Sequence, residues 1–343
     1  MALLRRLAVC SGLLLAGMGC EYHSGTSQQP QSPTQYPQYP QSQYPSGQPQ
    51  PAGQPTAAGQ PTAQQPAQTP AAASQYPPAL DPINNIDALW LRSRGQAIYQ
   101  ELIAALPAGP QGRIAGVPLV LDQQPTDVNA FATCTQTNKA FIEVTDGLMD
   151  VMAHLAQCKA TDEIFGTRKT DEYIQYVAKN QKAGTPPARP PVGFFNPQQH
   201  LDPRKVARQH QIFDEEAAFV IGHEMGHHYL GHLPCTAQVV TAAEVGVILS
   251  SAVPAFNQPN EVAADMAGTK DVLAAGARRS DYHYTEGGGL LTMQFFAGLD
   301  QWSPIDILFG FERSHPAAQI RTPVIQQTAN TWRASGGALP PVF

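Results

Sequence analysis

The chain has 343 residues, of which only 14% are charged, and a formal net charge of −6. With no basic surplus to neutralise a phosphate backbone, no nucleic-acid partner is expected. Beyond a compositionally biased N-terminal stretch, the remaining length suits one domain with a sizeable core.

Residues 1–20 combine Arg5-Arg6, an apolar run from Leu7 to Met18, and Cys20. That is the pattern of a secretion signal whose apolar core is too short to span a bilayer. Leu15-Ala16-Gly17-Met18-Gly19-Cys20 resembles a bacterial lipobox, so lipidation at Cys20 is expected in preference to simple cleavage. Glu21 is not the aspartate that would suggest retention in the inner membrane. The expected location is the cell envelope, anchored by lipid at the outer membrane and facing the periplasm; an ordinary signal peptide would instead give a secreted protein. Residues 21–82 read as a linker, with Gln-Tyr-Pro at 35–37, 38–40 and 43–45 and Gly-Gln-Pro at 47–49, 53–55 and 59–61. Such a stretch cannot bury enough apolar surface to offset the entropy of ordering, so a disordered spacer with polyproline II bias is expected. Recognition of the repeats by a proline-reading domain is the alternative.

Residues 83–338 are the expected folded domain. Ile86, Leu89, Trp90, Ile98, Leu102, Ile103 and Leu106 recur at helical spacing and predict an amphipathic first helix over 84–106. Val117 to Leu121, Val128 to Cys134 and Ala140 to Val144 are β-rich runs separated by turn residues, which predicts a small antiparallel sheet. A helix over Gly147 to Gln157 follows. Residues 159–211 are polar and then proline-rich, which predicts a surface insertion with one helix near Glu172 to Lys182; as a candidate lid over a cleft it would carry Phe194 and Phe195. Asp214-Glu215-Glu216 reads as the acidic first turn of the next helix. Ala237 to Phe256 is nearly continuous apolar sequence that falls short of a membrane span, so a buried helix is expected. A bend at Gly287-Gly288-Gly289, an apolar helix from Leu290 to Leu299 and an amphipathic helix from about Pro316 to Trp332 complete an α+β fold. It is mainly helical, with the helices on one face of the sheet.

The chemistry concentrates in Gly222-His223-Glu224-Met225-Gly226-His227. On a helix His223 and His227 lie one turn apart on the same face, where two imidazoles can converge on one metal ion. Glu224 beside them can take a proton from a metal-bound water and hand it to a leaving amine. Catalytic zinc keeps three protein ligands and an open position, and Glu261 supplies the third from the alanine-rich run Asn260-Glu261-Val262-Ala263-Ala264-Asp265. Asp265, one turn on, would hydrogen-bond a ligating histidine and fix its tautomer. His228 and His232 read as structural, with His232 capping the metal helix together with Gly231. His154, His200, His210 and His283 carry no signal above that of ordinary surface or core residues.

The set His223-Glu224-x-x-His227, Gly231-His232, Glu261-x-x-Ala264-Asp265 and Ser314-His315-Pro316 with Arg321 resembles the gluzincin peptidases of family M48. These are the HtpX, CAAX prenyl endopeptidase and periplasmic outer-membrane quality-control types. Val128-Asn129-Ala130-Phe131-Ala132 and Val144 to Met149 are similar to the family's edge strand and the helix after it. The resemblance implies one zinc ion per chain, His315 as a donor to the oxyanion of the tetrahedral intermediate, and substrate added as a strand along Asn129, Ala130, Phe131 and Ala132. It further implies a zinc-dependent endopeptidase of the cell envelope acting on unfolded or misassembled envelope proteins. A non-catalytic lipoprotein scaffold or holdase is the alternative.

With Cys10 in the signal and Cys20 lipidated, three cysteines remain. The strand rise over Ala140 to Val144 and the helix rise up to Cys158 roughly match, so Cys134 and Cys158 are the expected disulfide, with Cys235 unpaired.

Overall fold

A computed structural model describes residues 76–235, 258–302, 315 and 318–337. The expected signal, Cys20, the linker up to residue 75 and the apolar run Ala237 to Phe256 lie outside the described residues.

Helix α1 (Ala88–Ala105) starts where the Asp87 side chain accepts from the N–H groups of Leu89 and Trp90, and it buries Leu91, Gly95, Ile98, Tyr99 and Leu102 on one face. A short α2 (Ala108–Ile114) leads into the sheet of β1 (Leu119–Asp122), β2 (Ala130–Cys134) and β3 (Ala140–Thr145). The strand order is β1-β3-β2. β2 and β3 form the expected antiparallel hairpin, but β1 runs parallel to β3, so the sheet is mixed and not antiparallel. The segment between β1 and β2 carries the chain across the sheet from one edge to the other, a tertiary choice that leaves no mark on strand periodicity. Ala130, Ile142 and Val144 join the main core, whereas Phe131 and Phe141 form a small separate cluster with Val120. The helices therefore cover one face of the sheet, as expected.

Helix α3 (Asp146–Phe165) is capped by Thr145, whose Oγ1 accepts from Leu148, and it ends at Gly166 with φ 67°. Then come α4 (Lys169–Asn180), α5 (Pro197–His200) and the central helix α6 (Pro203–Tyr229). At 27 residues, α6 is about 40 Å long. It packs on α3 and on two later helices, α7 (Gln258–Ala277) and α8 (Gly287–Trp302); α9 (Ala318–Ala334) packs on those two.

Three expectations are overturned by this arrangement. α6 begins not at Asp214 but at Pro203, where Asp202 caps the Arg204 N–H and Pro203 occupies the first turn. Asp214, Glu215 and Glu216 are mid-helix and buried: Asp214 takes a two-pronged ion pair from Arg94 at 2.7 and 2.6 Å, which ties α1 to α6. Gly287-Gly288-Gly289 is not a bend but the first turn of α8, pressed onto α6. A Cβ on Gly288 would come within 2.2 Å of the Glu215 backbone, and one on Gly289 within 2.6 Å of the Phe219 ring.

Phe194 and Phe195, which the lid alternative would place over a cleft, lie by the start of α6. Phe195 stacks on His200 and lies 5.4 Å from Lys205 Nζ, while Phe194 lies 4.7 Å from Lys169 Nζ. Lys205 is near the start of α6 and His223 is 18 residues further on, so about 27 Å of helix separates them. There the insertion walls a cavity of about 500 Å³ lined by His154, Gln157, Arg189 and both phenylalanines.

The third correction concerns the disulfide. Cys158 is fully buried and close enough to Lys205 to feel its charge. Cys134 lies at the opposite end of α6, where Cys235 reaches the carbonyl of the neighbouring Thr133 and touches His228. About 35 Å of helix separates the two ends. Cys134 and Cys158 are both free. The matching rises assumed that α3 folds back along β3, whereas α3 instead packs mainly on α6 and α4.

Candidate metal centre

The centre forms where α6 and α7 cross without side chains between them. A Cβ on Gly222 would sit 3.3 Å from the Gly268 Cα, and a Cβ on Gly268 only 2.7 Å from the His223 nitrogen. Ala264 and Ala267 face Gly226 in the same contact. The alanines after Glu261, together with Gly222, Gly226 and Gly268, thus let two backbones approach closely enough for a glutamate on one to meet histidines on the other.

His223 and His227 project from one face of α6 with their Nε2 atoms 3.1 Å apart. Glu261, in the first turn of α7, lies against both: Oε2 is 3.5 Å from His223 Nε2 and Oε1 is 3.3 Å from His227 Nε2. His315 enters from the segment before α9, and its Nε2 is 3.2 Å from Glu224 Oε1. One ligand atom from each of His223, His227, Glu261 and His315 lies within 4.8 Å of every other, and all four residues are buried. His315 was expected to face the substrate oxyanion; the structure brings it into the ligand cluster and beside Glu224.

Each ligating ring is steered from behind. His223 Nδ1 is 3.0 Å from Asp265 Oδ1. Arg321, 1% exposed, grips Asp265 with Nε at 2.8 Å and a second nitrogen at 2.7 Å, and its third nitrogen lies 3.4 Å from Glu261 and donates to the His315 carbonyl. His227 Nδ1 is 2.9 Å from His232 Nδ1. If His227 ligates through Nε2 its proton sits on Nδ1, so His227 donates and His232 accepts. Gly231, at φ 79°, turns the chain back so that the His232 amide bonds the His227 carbonyl and its ring returns over the last turn. His232 therefore does cap the helix, as read from the sequence, and its ring does something more.

A divalent metal ion fits these residues. Among the described residues no hydrogen bond reaches any carboxylate oxygen of Glu224 or Glu261, although both residues are buried. Burial opposes the charge on Glu224, Glu261 and Asp265, yet His315 beside the first two and Arg321 beside the third hold all three carboxyls below their ordinary range. With the histidines stripped of their extra protons to ligate, three carboxylates against one guanidinium leave two negative charges, which a divalent cation cancels. Burial keeps the His227 imidazole uncharged, down to about 4. Burial also opposes charge on His223, but the hydrogen bond to Asp265 and the neighbouring Glu261 carboxylate carry it up to about 9, so a proton and a metal compete for that ring. Two imidazoles, a carboxylate and a further approach direction are the donor set of catalytic zinc.

The remaining expected site residues lie on the sheet. Thr145 N–H bonds the Asn129 carbonyl, so Asn129, Phe131 and Thr133 point their backbone groups toward β3, while Ala130, Ala132 and Cys134 point theirs to the free edge. β2 packs against α6, and His228 Nε2 lies 2.9 Å from the Phe141 carbonyl, tying the metal helix to the sheet.

The chain matches the model of the family described as Peptidase family M48 over residues 93–329, a span that contains every residue of this centre. Searches among curated proteins and among solved structures return no match.

Proposed function

The chain belongs to peptidase family M48, and from that membership we propose that this zinc metallopeptidase is an endopeptidase of the bacterial cell envelope, with Glu224 as its general base and misfolded or misassembled envelope proteins as its substrates. The observation that carries the reading is the burial of His223, His227, Glu261 and His315 around one point with the Glu224 carboxylate beside them. His223, His227 and Glu261 would hold the zinc, which when bound would supply a Lewis acid and a lowered pKa for water.

The protein's own groups do the rest. Glu224 accepts a proton from the attacking water at its carboxylate and delivers it to the leaving amine. Its low proton affinity, set by the neighbouring His315, keeps it in the basic form at neutral pH. His315 Nε2, beside Glu224, is placed to donate to the oxyanion that develops on the substrate. Asp265 and Arg321 fix the His223 ring, and His232 fixes the His227 ring. The free edge of β2 accepts an extended peptide through the backbone groups of Ala130 and Ala132.

Glu224→Gln should retain stoichiometric zinc and lose cleavage of unfolded casein; cleavage equal to the wild type would remove Glu224 from the mechanism. Restoration of client turnover in a deletion strain by Glu224→Gln would point instead to a holdase. The envelope location rests on the sequence of residues 1–20. Cys20→Ser should move the protein from the membrane fraction to the soluble periplasm, or leave it unprocessed, and a wild type found soluble would end the anchoring reading.

A further inference from the structure

Cysteines 134 and 235 come together at the C-terminal end of the metal helix. Cys134 is the last residue of β2, and its side chain shares a sheet face with Ala130 and Ala132. Ala130 belongs to the core in which α6 is central, so this face is turned toward the metal helix. Cys235 lies just past the Gly231 turn, and its Sγ is 3.7 Å from the Thr133 carbonyl and 3.6 Å from His228 Nδ1. The two thiols are close enough to perturb each other, and both residues are partly exposed. Cys158, by contrast, is fully buried at the far end of α6.

His228 borders the pair and ties it to the sheet. His228 Nε2 lies 2.9 Å from the Phe141 carbonyl, which only accepts, so the ring proton sits on Nε2 and Nδ1 presents its lone pair to the Cys235 thiol. We propose that Cys134 and Cys235 form a disulfide that staples the edge strand β2 to the chain leaving the metal helix. Burial pushes both thiols up, so the pair rests as two thiols until an exchange partner arrives.

That partner is an external disulfide, either a small-molecule disulfide or a protein oxidoreductase. Cys235 gives its proton to solvent, and its thiolate attacks one sulfur of the external disulfide. The external S–S bond breaks and a mixed disulfide forms, releasing one thiol. Cys134 then attacks the Cys235 sulfur and releases the second thiol. Two protein thiols are oxidised and one external disulfide is reduced. The link closes a loop containing His223, Glu224 and His227, and it holds β2 beside the turn that carries His232. Its formation does not depend on β2 receiving substrate.

The test uses the full chain equilibrated with oxidised glutathione or with dithiothreitol, alkylated, and mapped by mass spectrometry. In the oxidised sample a cross-linked peptide joining Cys134 to Cys235 is expected, with Cys158 alkylated only after denaturation. The oxidised protein should melt about 5–10 °C above the reduced wild type, the usual stabilisation by a disulfide closing a long loop in a domain of this size. Cys134→Ala and Cys235→Ala should abolish that difference while Cys158→Ala keeps it. The wild-type comparison alone decides the matter if a variant fails to fold. Alkylation of both Cys134 and Cys235 in the oxidised sample, a Cys134 to Cys158 link, or a melting temperature indifferent to reductant would each overturn the proposal.

Discussion

Arg321→Met tests whether the centre is held together by charge or by packing. The guanidinium is 1% exposed and donates to Asp265 at 2.8 and 2.7 Å. Methionine keeps much of the side-chain volume and removes the charge, which leaves Asp265 buried with only His223 as a partner. Breaking one side of a buried, hydrogen-bonded ion pair costs about 3–5 kcal/mol, because the remaining charge stays desolvated. At about 2–4 °C per kcal/mol for a domain of this size, the metal-stripped variant should melt on the order of 10 °C below the metal-stripped wild type. Zinc affinity should fall by about 10- to 100-fold, as it does when the partner of a ligating histidine is disturbed. The double variant Arg321→Met/Asp265→Leu separates the two effects. With no unpaired carboxylate left, its melting temperature should recover most of the loss, while its zinc affinity stays low because His223 has lost the acceptor for its Nδ1 proton. Differential scanning fluorimetry after chelation and competition with a chromogenic chelator read the two quantities independently. Arg321→Met melting within a few degrees of the wild type, or a double variant no more stable than the single one, would refute the reasoning.

Two further substitutions probe other parts of the arrangement. His232→Ala should weaken zinc by about tenfold or more with little change in melting temperature, since the ring orients His227 while the backbone of Gly231 and His232 does the capping; unchanged zinc affinity with a lowered melting temperature would reduce the residue to a helix cap. Glu215→Gln addresses pH: burial pushes this carboxyl up to about 8 from an ordinary 4.5. The folded protein therefore keeps a proton that the unfolded chain gives up, and the stability associated with Glu215 is fully present below pH 4.5 and is lost as pH rises toward 8. The wild type should lose several kcal/mol of unfolding free energy across that window and the variant less, on the order of 4 kcal/mol being the share of one such group. Glu143 and Asp271, also pushed up to about 8 by burial, act with the same sign, so the slope in urea titrations should shrink without vanishing. Parallel stability curves for the two proteins would exclude Glu215 as a contributor.

The cluster of His223, His227 and Glu261 was legible because the chemistry of a metal site dictates residue types at fixed helical spacing. His223 and His227 need one turn between them, and Glu261 needs small neighbours to approach. The start of α6 was misread because its real signal, Asp202 capping ahead of Pro203, lies in a proline-rich stretch that looked like loop. Asp214-Glu215-Glu216 imitates an acidic first turn while in fact being buried. Nothing local distinguishes a carboxylate at a helix dipole from one that meets an arginine on another helix. The parallel pairing of β1 and the meeting of Cys134 with Cys235 were illegible for a related reason: both depend on which end of a long helix a distant segment reaches. The ring contact of His232 could have been found, because a glycine followed by a histidine just past a ligand-bearing helix marks a chain reversal over its last turn. Arg321 was visible only as part of a resemblance, and its role needs the fold.

The centre draws on three separate stretches of chain, and the last of them, His315 through Arg321, is near the C-terminus. A polypeptide is made N-terminus first. While the chain is being synthesised, His223, Glu224 and His227 exist well before the imidazole that sits beside Glu224 and the guanidinium that neutralises Asp265. In that interval the cluster has an excess of carboxylate and an unsteered His223. The metal helix alone therefore does not make the centre, which is complete only once the segment bearing His315 and Arg321 has joined it.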